Sequence, residues 1–258
     1  MWLNMGYWKD TTSFPKACEA LAKRLATHAG VQPGESILGC GCGESVLLWA
    51  TQFNASNITG VSSVPSHIAQ AKRAVEASEH ISFDTKIDLQ VGDAVAYTRQ
   101  AANKGEKYDR IIALDCVYHF NTRRDFMKEA EAVLEFTGTI GVTDLMLPDG
   151  GLSALSSILM RIICYFANVP FHNLLTQPEY ERVYTELGFT RLEIEDITMD
   201  VFPGLADYID TVNRDPVMCA ALDPAKLRQY RMFAKVLRWW SRGRLRFVLV
   251  KAMKGIKH

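Results

Sequence analysis

The chain has no net charge, no cysteine pair at metal or redox spacing, and no apolar run long enough to span a bilayer. Lys+Arg and Asp+Glu each total 29 over 258 residues, which removes the charge argument for a nucleic-acid partner. Its 6 cysteines, Cys18, Cys40, Cys42, Cys116, Cys164 and Cys219, form no CxxC, and Cys40 and Cys42 sit too close to bridge each other, so reduced thiols in a cytoplasmic protein are expected. The histidines are scattered at positions 28, 67, 80, 119, 172 and 258, with no metal spacing. The longest apolar stretch, Leu152 to Phe171, is broken by Arg161, Asn168 and Pro170 and reads as an amphipathic segment. Acidic residues also stop early. Beyond Asp223 every charged side chain is Lys or Arg, from Lys226 to Lys257. Such an end suits either a solvated helix face or contact with an anionic membrane surface or substrate.

What is present is a regular alternation. Apolar residues at Ala17, Leu21, Leu25 and Ala29 mark a helix over Ser13–Ala29, ended by Gly30 and Pro33-Gly34. Ser36-Ile37-Leu38 is a short strand that enters Gly39-Cys40-Gly41-Cys42-Gly43, and a helix follows over Ser45–Phe53. Strands are then expected at Asn57–Val61, Ile87–Val91, Tyr108–Leu114 and Gly138–Thr143, with helices at Pro65–Ala77 and Arg123–Leu134. This rhythm predicts an α/β fold with a doubly wound, mostly parallel sheet. After Pro148 the pattern shifts to helices at Leu152–Tyr165, Gln177–Leu187, Pro203–Val212 and Pro224–Ser241, with strands at Phe189–Ile197 and Arg244–Ala252. One domain over 1–258 is expected, its core about 13–146 plus 177–258. Helical insertions over about 150–176 and 202–241 would form a substrate lid. Leu155, Ile158, Leu159, Ile162, Phe166 and Phe171, with 202–208, would line an apolar pocket.

A glycine-rich turn after the first strand lets a ligand approach the backbone, at the strand ends where open α/β sheets bind ligands. A dinucleotide fingerprint needs Gly or Ala three residues after its second glycine, but Glu44 stands there, and Gly60-Val61 leads into Ser62-Ser63, not a carboxylate. The ordered segments instead resemble a class I S-adenosylmethionine-dependent methyltransferase. Leu38–Gly43 is similar to its first motif, Ile58–Ser62 to the strand end that meets the ribose, Gly92-Asp93-Ala94 to the adenine turn, and Asp115–Phe120 to the loop at the active site. Asn4-Met5-Gly6-Tyr7-Trp8 resembles the entrance segment of the small-molecule branch related to tocopherol, sarcosine and cyclopropane-fatty-acid enzymes. Gly39 replaces the family's usual acidic residue, Ser45 a common glycine, and Ser62 the usual ribose carboxylate, with His67 near a position where the branch uses Gln.

The resemblance implies methyl transfer from S-adenosylmethionine to a small, partly apolar molecule, leaving S-adenosylhomocysteine, with no metal. Cofactor contacts are then expected from Tyr7, Trp8, Gly39, Gly41, Gly43, Ser62, Ser63, His67, Asp93, Ala94 and Asp115. His119 is the candidate base, Asp144 its orienting partner or a base itself, and Tyr7, Trp8 and Tyr118 an electron-rich wall near the sulfonium. Competing readings remain for His119 as a packing residue and for Asp144 as a cap of the turn Leu147–Gly150. At the level of function, a non-catalytic binding protein and lipid cyclopropanation also stay open, as do the acceptor atom and the oligomeric state.

Overall fold

The computed structural model describes residues 4–41, 43–221 and 223–255; Cys42 and His258 fall outside them. In chain order the elements are α1 (Phe14–Ala29), β1 (Ser36–Cys40), α2 (Ser45–Thr51), β2 (Asn57–Ser62), α3 (Pro65–Glu76), β3 (Lys86–Val91), α4 (Ala94–Lys104), β4 (Tyr108–Ala113), α5 (Arg123–Val133) and β5 (Leu134–Met146). They continue with α6 (Ala154–Phe166), α7 (Gln177–Glu186), β6 (Phe189–Asp196), α8 (Thr198–Arg214), α9 (Pro216–Ala221), α10 (Pro224–Trp240) and β7 (Arg246–Lys254). The strands form a seven-stranded sheet in the order β3-β2-β1-β4-β5-β7-β6. β1 pairs in parallel with β2 and β4, and β7 runs antiparallel to both β5 and β6. The doubly wound, mostly parallel sheet expected from the alternation is what forms.

Strand residues are apolar on both faces because helices cover both. Ile37, Ile112 and Leu249 join a cluster with α1, α2, α8 and α10, while Leu38, Ile111 and Val248 join one with α4, α5 and α7. Side chains one residue apart point to opposite faces, so each strand feeds two cores. Sequence cues set the helix limits. Gly30 ends α1 at φ 77°, its N–H bonding back to Ala26 and Thr27, in the left-handed conformation that glycine adopts without strain.

Three expectations need correction. α4 was not expected, although Asp93 caps its start, accepting from Ala96 N–H at 2.8 Å, and Gly105 closes it at φ 71°. α8 begins five residues before Pro203, which lies inside the helix. There Asp196 accepts from the Thr198 N–H (2.9 Å) and hydroxyl (2.5 Å) and fixes the first turn. The third concerns α6. Leu155, Ile158, Leu159, Ile162 and Phe166 face outward (Leu155 and Phe166 are each 79% exposed), and Met160 and Cys164 are the buried pair. The helix therefore packs by the side opposite to the one expected to line a pocket.

No helix among the described residues is long and apolar enough to cross a membrane. Part of the basic C-terminal region is neutralised internally. Arg238 bridges Asp207 and Asp210 at 2.8 Å each, and Lys251 lies 3.6 Å from Glu193.

Candidate active site

The ends of β1, β2 and β4 and the start of α4 surround a cleft of about 450 Å³. Of the residues expected to hold a cofactor, Gly41, Ser62, Ser63, His67, Asp93, Ala94 and Asp115 line it, and so does His119. Sequence reasoning did not assign Val64, which follows β2, or Asn121 and Thr122, which complete the wall beyond β4. A larger hollow of about 650 Å³ opens alongside, at the edge formed by β2, β3 and α4, and shares Gly92 and Asp93 with the cleft. The cleft collects the carboxyl ends of neighbouring strands and is where the ligand site of such a sheet belongs.

Local geometry explains the glycine at 41. Its φ is +71°, and a Cβ there would lie 3.1 Å from both Cys116 Cβ and the Leu114 carbonyl oxygen. A side chain at this position would be strained by the positive φ and pressed against Cys116 and Leu114. At the end of β2, the Ser62 hydroxyl accepts from Val64 N–H (3.3 Å) and lies 3.4 Å from His67 Nδ1. A hydroxyl and an imidazole face the cleft in place of a carboxylate, a donor–acceptor set suited to a diol.

The loop after β4 is held from several sides. Asp115 has φ +55°, a conformation that Asp tolerates better than most residues. Its N–H donates to Thr143 Oγ1 at 2.6 Å. One carboxylate oxygen accepts from Met5 N–H (2.7 Å), the other from the Tyr118 hydroxyl (2.5 Å). Burial, opposed by these bonds and by His119, pushes its carboxyl above the usual range. His119 is exposed on the cleft wall, with Nδ1 3.0 Å from the Asn168 carbonyl oxygen. A carbonyl partner requires a proton on Nδ1. Behind the loop, Asn173 donates to the carbonyls of Tyr118 (3.0 Å) and Phe120 (2.9 Å), and Arg123 donates to the Asn173 carbonyl at 2.6 Å.

Asp144 belongs to this bracing and not to the cleft. It is fully buried, 2.9 Å from Arg123 Nη2, and accepts from the Tyr180 hydroxyl at 2.8 Å and from Leu145 N–H. Its expected contact with substrate or with His119 is corrected, because the Arg123 charge needs a buried counter-ion. Tyr118 is likewise buried, its hydroxyl committed to Asp115. Trp8 stands outside the cleft, packed on Gly204 of α8 and against Phe14 and Tyr208. Tyr7 lies next to Asp200, and burial followed by that carboxylate raises its phenol. Gly39 faces Trp49, not the cleft. Gly43 sits in the turn that starts α2, its carbonyl accepting from Val46 N–H.

A second cavity, about 460 Å³, opens between the N-terminal arm, α1, α8 and α10. Phe14, Leu205, Tyr208, Ile209, Val212 and Phe233 give it an apolar lining. Leu205 and Tyr208 fall in the stretch expected to line a pocket, but the rest of the wall comes from the N-terminal arm, α1, Asp115, the following turns of α8 and α10, with nothing from α6.

Comparisons with known proteins agree with this geometry. Residues 37–138 match the methyltransferase-domain family, which spans β1 to the start of β5. The chain is 27% identical over 214 residues to erythromycin 3''-O-methyltransferase of Saccharopolyspora erythraea, covering 80% of this chain and 68% of that one. It is 21% identical to (+)-O-methylkolavelool synthase of Herpetosiphon aurantiacus, covering 86% and 75%. Among solved structures, the cyclopropane synthase MmaA2 from Mycobacterium tuberculosis superposes with TM-score 0.78 at 14% identity, covering 98% and 90%. The fold and the cleft resemble those of class I, Rossmann-like methyltransferases, and the sequence similarity supports an S-adenosylmethionine-dependent methyltransferase. Its methyl donor is S-adenosylmethionine.

Proposed function

We propose that this enzyme methylates a hydroxyl oxygen on a small, partly apolar molecule. One observation carries the reading: the polar cleft at the strand ends and the apolar chamber under α8 and α10 share a wall at Asp115. A donor in the first and an acceptor in the second would meet there. Two relatives with high coverage, the erythromycin and kolavelool enzymes, are named for an O-methyl transfer and an O-methyl product, which supports oxygen as the acceptor atom.

The residues present fit the cofactor. Gly41 leaves a cradle where a Cβ would collide, Ser62 and His67 offer partners for the ribose hydroxyls, and Asp93 and Ala94 stand at the adenine end. When bound, S-adenosylmethionine supplies a methyl group and keeps the electron pair of the broken C–S bond on sulfur. The protein's part is to orient the acceptor and exclude water. The bracing through Asn173, Arg123 and Asp144 holds the loop that carries Asp115 and His119. His119, exposed on the cleft wall, would carry the proton released in the reaction on to solvent. Incubation with tritiated S-adenosylmethionine and a panel of apolar alcohols, amines and thiols tests the reading. Label is expected in the alcohol products; label confined to amines or thiols would overturn it.

A further inference from the structure

We infer that Asp115 binds the acceptor's hydroxyl and takes its proton, so that this side chain selects an alcohol. The inference rests on the O-methylation reading above. Among the described residues Asp115 is the one shared by the walls of the cofactor cleft and the apolar chamber. Among the described residues it is also the only one on the chamber wall with an ionisable carboxyl or a basic group. The Asn4 amide on that wall is already engaged, donating to the Cys18 carbonyl and accepting from Gly6 N–H.

A hydroxyl carried into an apolar chamber must find a hydrogen-bond partner or lose its solvation without return. Asp115 offers one at the border with the methyl donor, and a bond to a carboxylate is stronger than one to a neutral oxygen. Its two carboxylate oxygens are held in place by Met5 N–H and the Tyr118 hydroxyl. Each of those bonds uses one lone pair and leaves another on the same oxygen. The left-handed backbone at φ +55°, fastened by Thr143, aims the group. Non-glycine residues held this way concentrate at functional sites. In the reaction the acceptor's O–H bond breaks and its proton passes to an Asp115 oxygen. The acceptor oxygen uses the freed pair to form the O–CH3 bond, and the pair of the donor's C–S bond stays on sulfur.

The test uses the full chain saturated with S-adenosylhomocysteine and two probes of one skeleton, menthol and menthone. Menthone lacks the O–H donor and sets its lone pairs against the carboxylate. Wild type is expected to bind menthol at least about tenfold more tightly than menthone, read by ligand-observed NMR titration. Asp115→Asn is expected to erase that preference while keeping the wild-type far-ultraviolet circular dichroism. Independently of the variant, the wild-type preference should shrink as pH falls and Asp115 takes up a proton. Equal affinity of wild type for the two probes, or an undiminished preference in Asp115→Asn, would overturn the assignment. Failure of wild type to bind S-adenosylhomocysteine would instead bring down the methyltransferase reading beneath it.

Discussion

Replacing Gly39 by alanine or aspartate probes how this chain departs from its family. The resemblance places an acidic residue at this position, so restoring it looks like a gain. The structure argues the opposite. A Cβ on Gly39 would lie 2.3 Å from Cζ3 and 2.7 Å from Cη2 of Trp49, which is fully buried. Neither partner moves easily, because Gly39 pairs with Gly60 on one side and Ile112 on the other. Overpacking of this kind costs about 1–3 kcal/mol, so Gly39→Ala should lower the melting temperature by about 2–4 °C for each kcal/mol at this chain length. Gly39→Asp should cost more, since the added carboxylate would be desolvated against a buried indole. Trimming the indole should relieve part of the cost. Gly39→Ala combined with Trp49→Leu should therefore show a coupling of about 1 kcal/mol or more in a double-mutant cycle. Urea denaturation of the four proteins measures it. Gly39→Ala with wild-type stability would refute the reasoning.

Three further outcomes follow from the packing. Asp144→Asn leaves the buried Arg123 charge without its counter-ion and should cost about 3–5 kcal/mol in urea denaturation; a cost under about 1 kcal/mol would show that the pair is not structural. Burial pushes the Asp196 carboxyl up, but bonds from the Thr198 hydroxyl and N–H and from Arg246 outweigh it and hold it below its usual range. A depressed carboxyl stabilises the fold above its unfolded value, about 3.9, and loses that contribution as pH falls through the folded value. Asp196→Ala should thus cost about 1–2 kcal/mol at neutral pH, and its deficit against wild type should narrow in acid. Leu155→Ser and Phe166→Ser on the exposed face of α6 should each stay within about 0.5 kcal/mol of wild type; a loss above about 2 kcal/mol would mean that the face is covered.

Much of the central sheet was readable because its strands are short apolar runs bounded by turn residues, and the first leads directly into Gly39–Gly43. The late region was harder for specific reasons. Periodicity reveals that α6 has an apolar stripe but not whether the stripe turns inward, so Leu155 and Phe166 were assigned to a pocket they do not line. Pro203 looks like a helix start, yet the capping interaction of Asp196 with Thr198 starts α8 earlier. Trp8 lies in a family-like segment that points to a cofactor wall, whereas the missing side chain of Gly204 is what seats it. Asp144 and His119 both stand at ends of strand-forming stretches, and only burial separates them: one is sealed against Arg123 and the other faces the cleft. The position of Asp115 between two cavities depends on residues from Met5 to Phe233 and has no local signature.

The central claim is that the cleft at the strand ends binds S-adenosylmethionine through the backbone at Gly41. Isothermal titration of wild type and Gly41→Ala with S-adenosylhomocysteine tests it most directly. At φ +71° and 3.1 Å from Cys116 Cβ, the added methyl both strains the turn and presses on the loop behind it. The account predicts micromolar binding by wild type, weakened at least about tenfold in the variant, with the variant's far-ultraviolet circular dichroism unchanged. Equal binding by both proteins, or no binding by wild type, would contradict it.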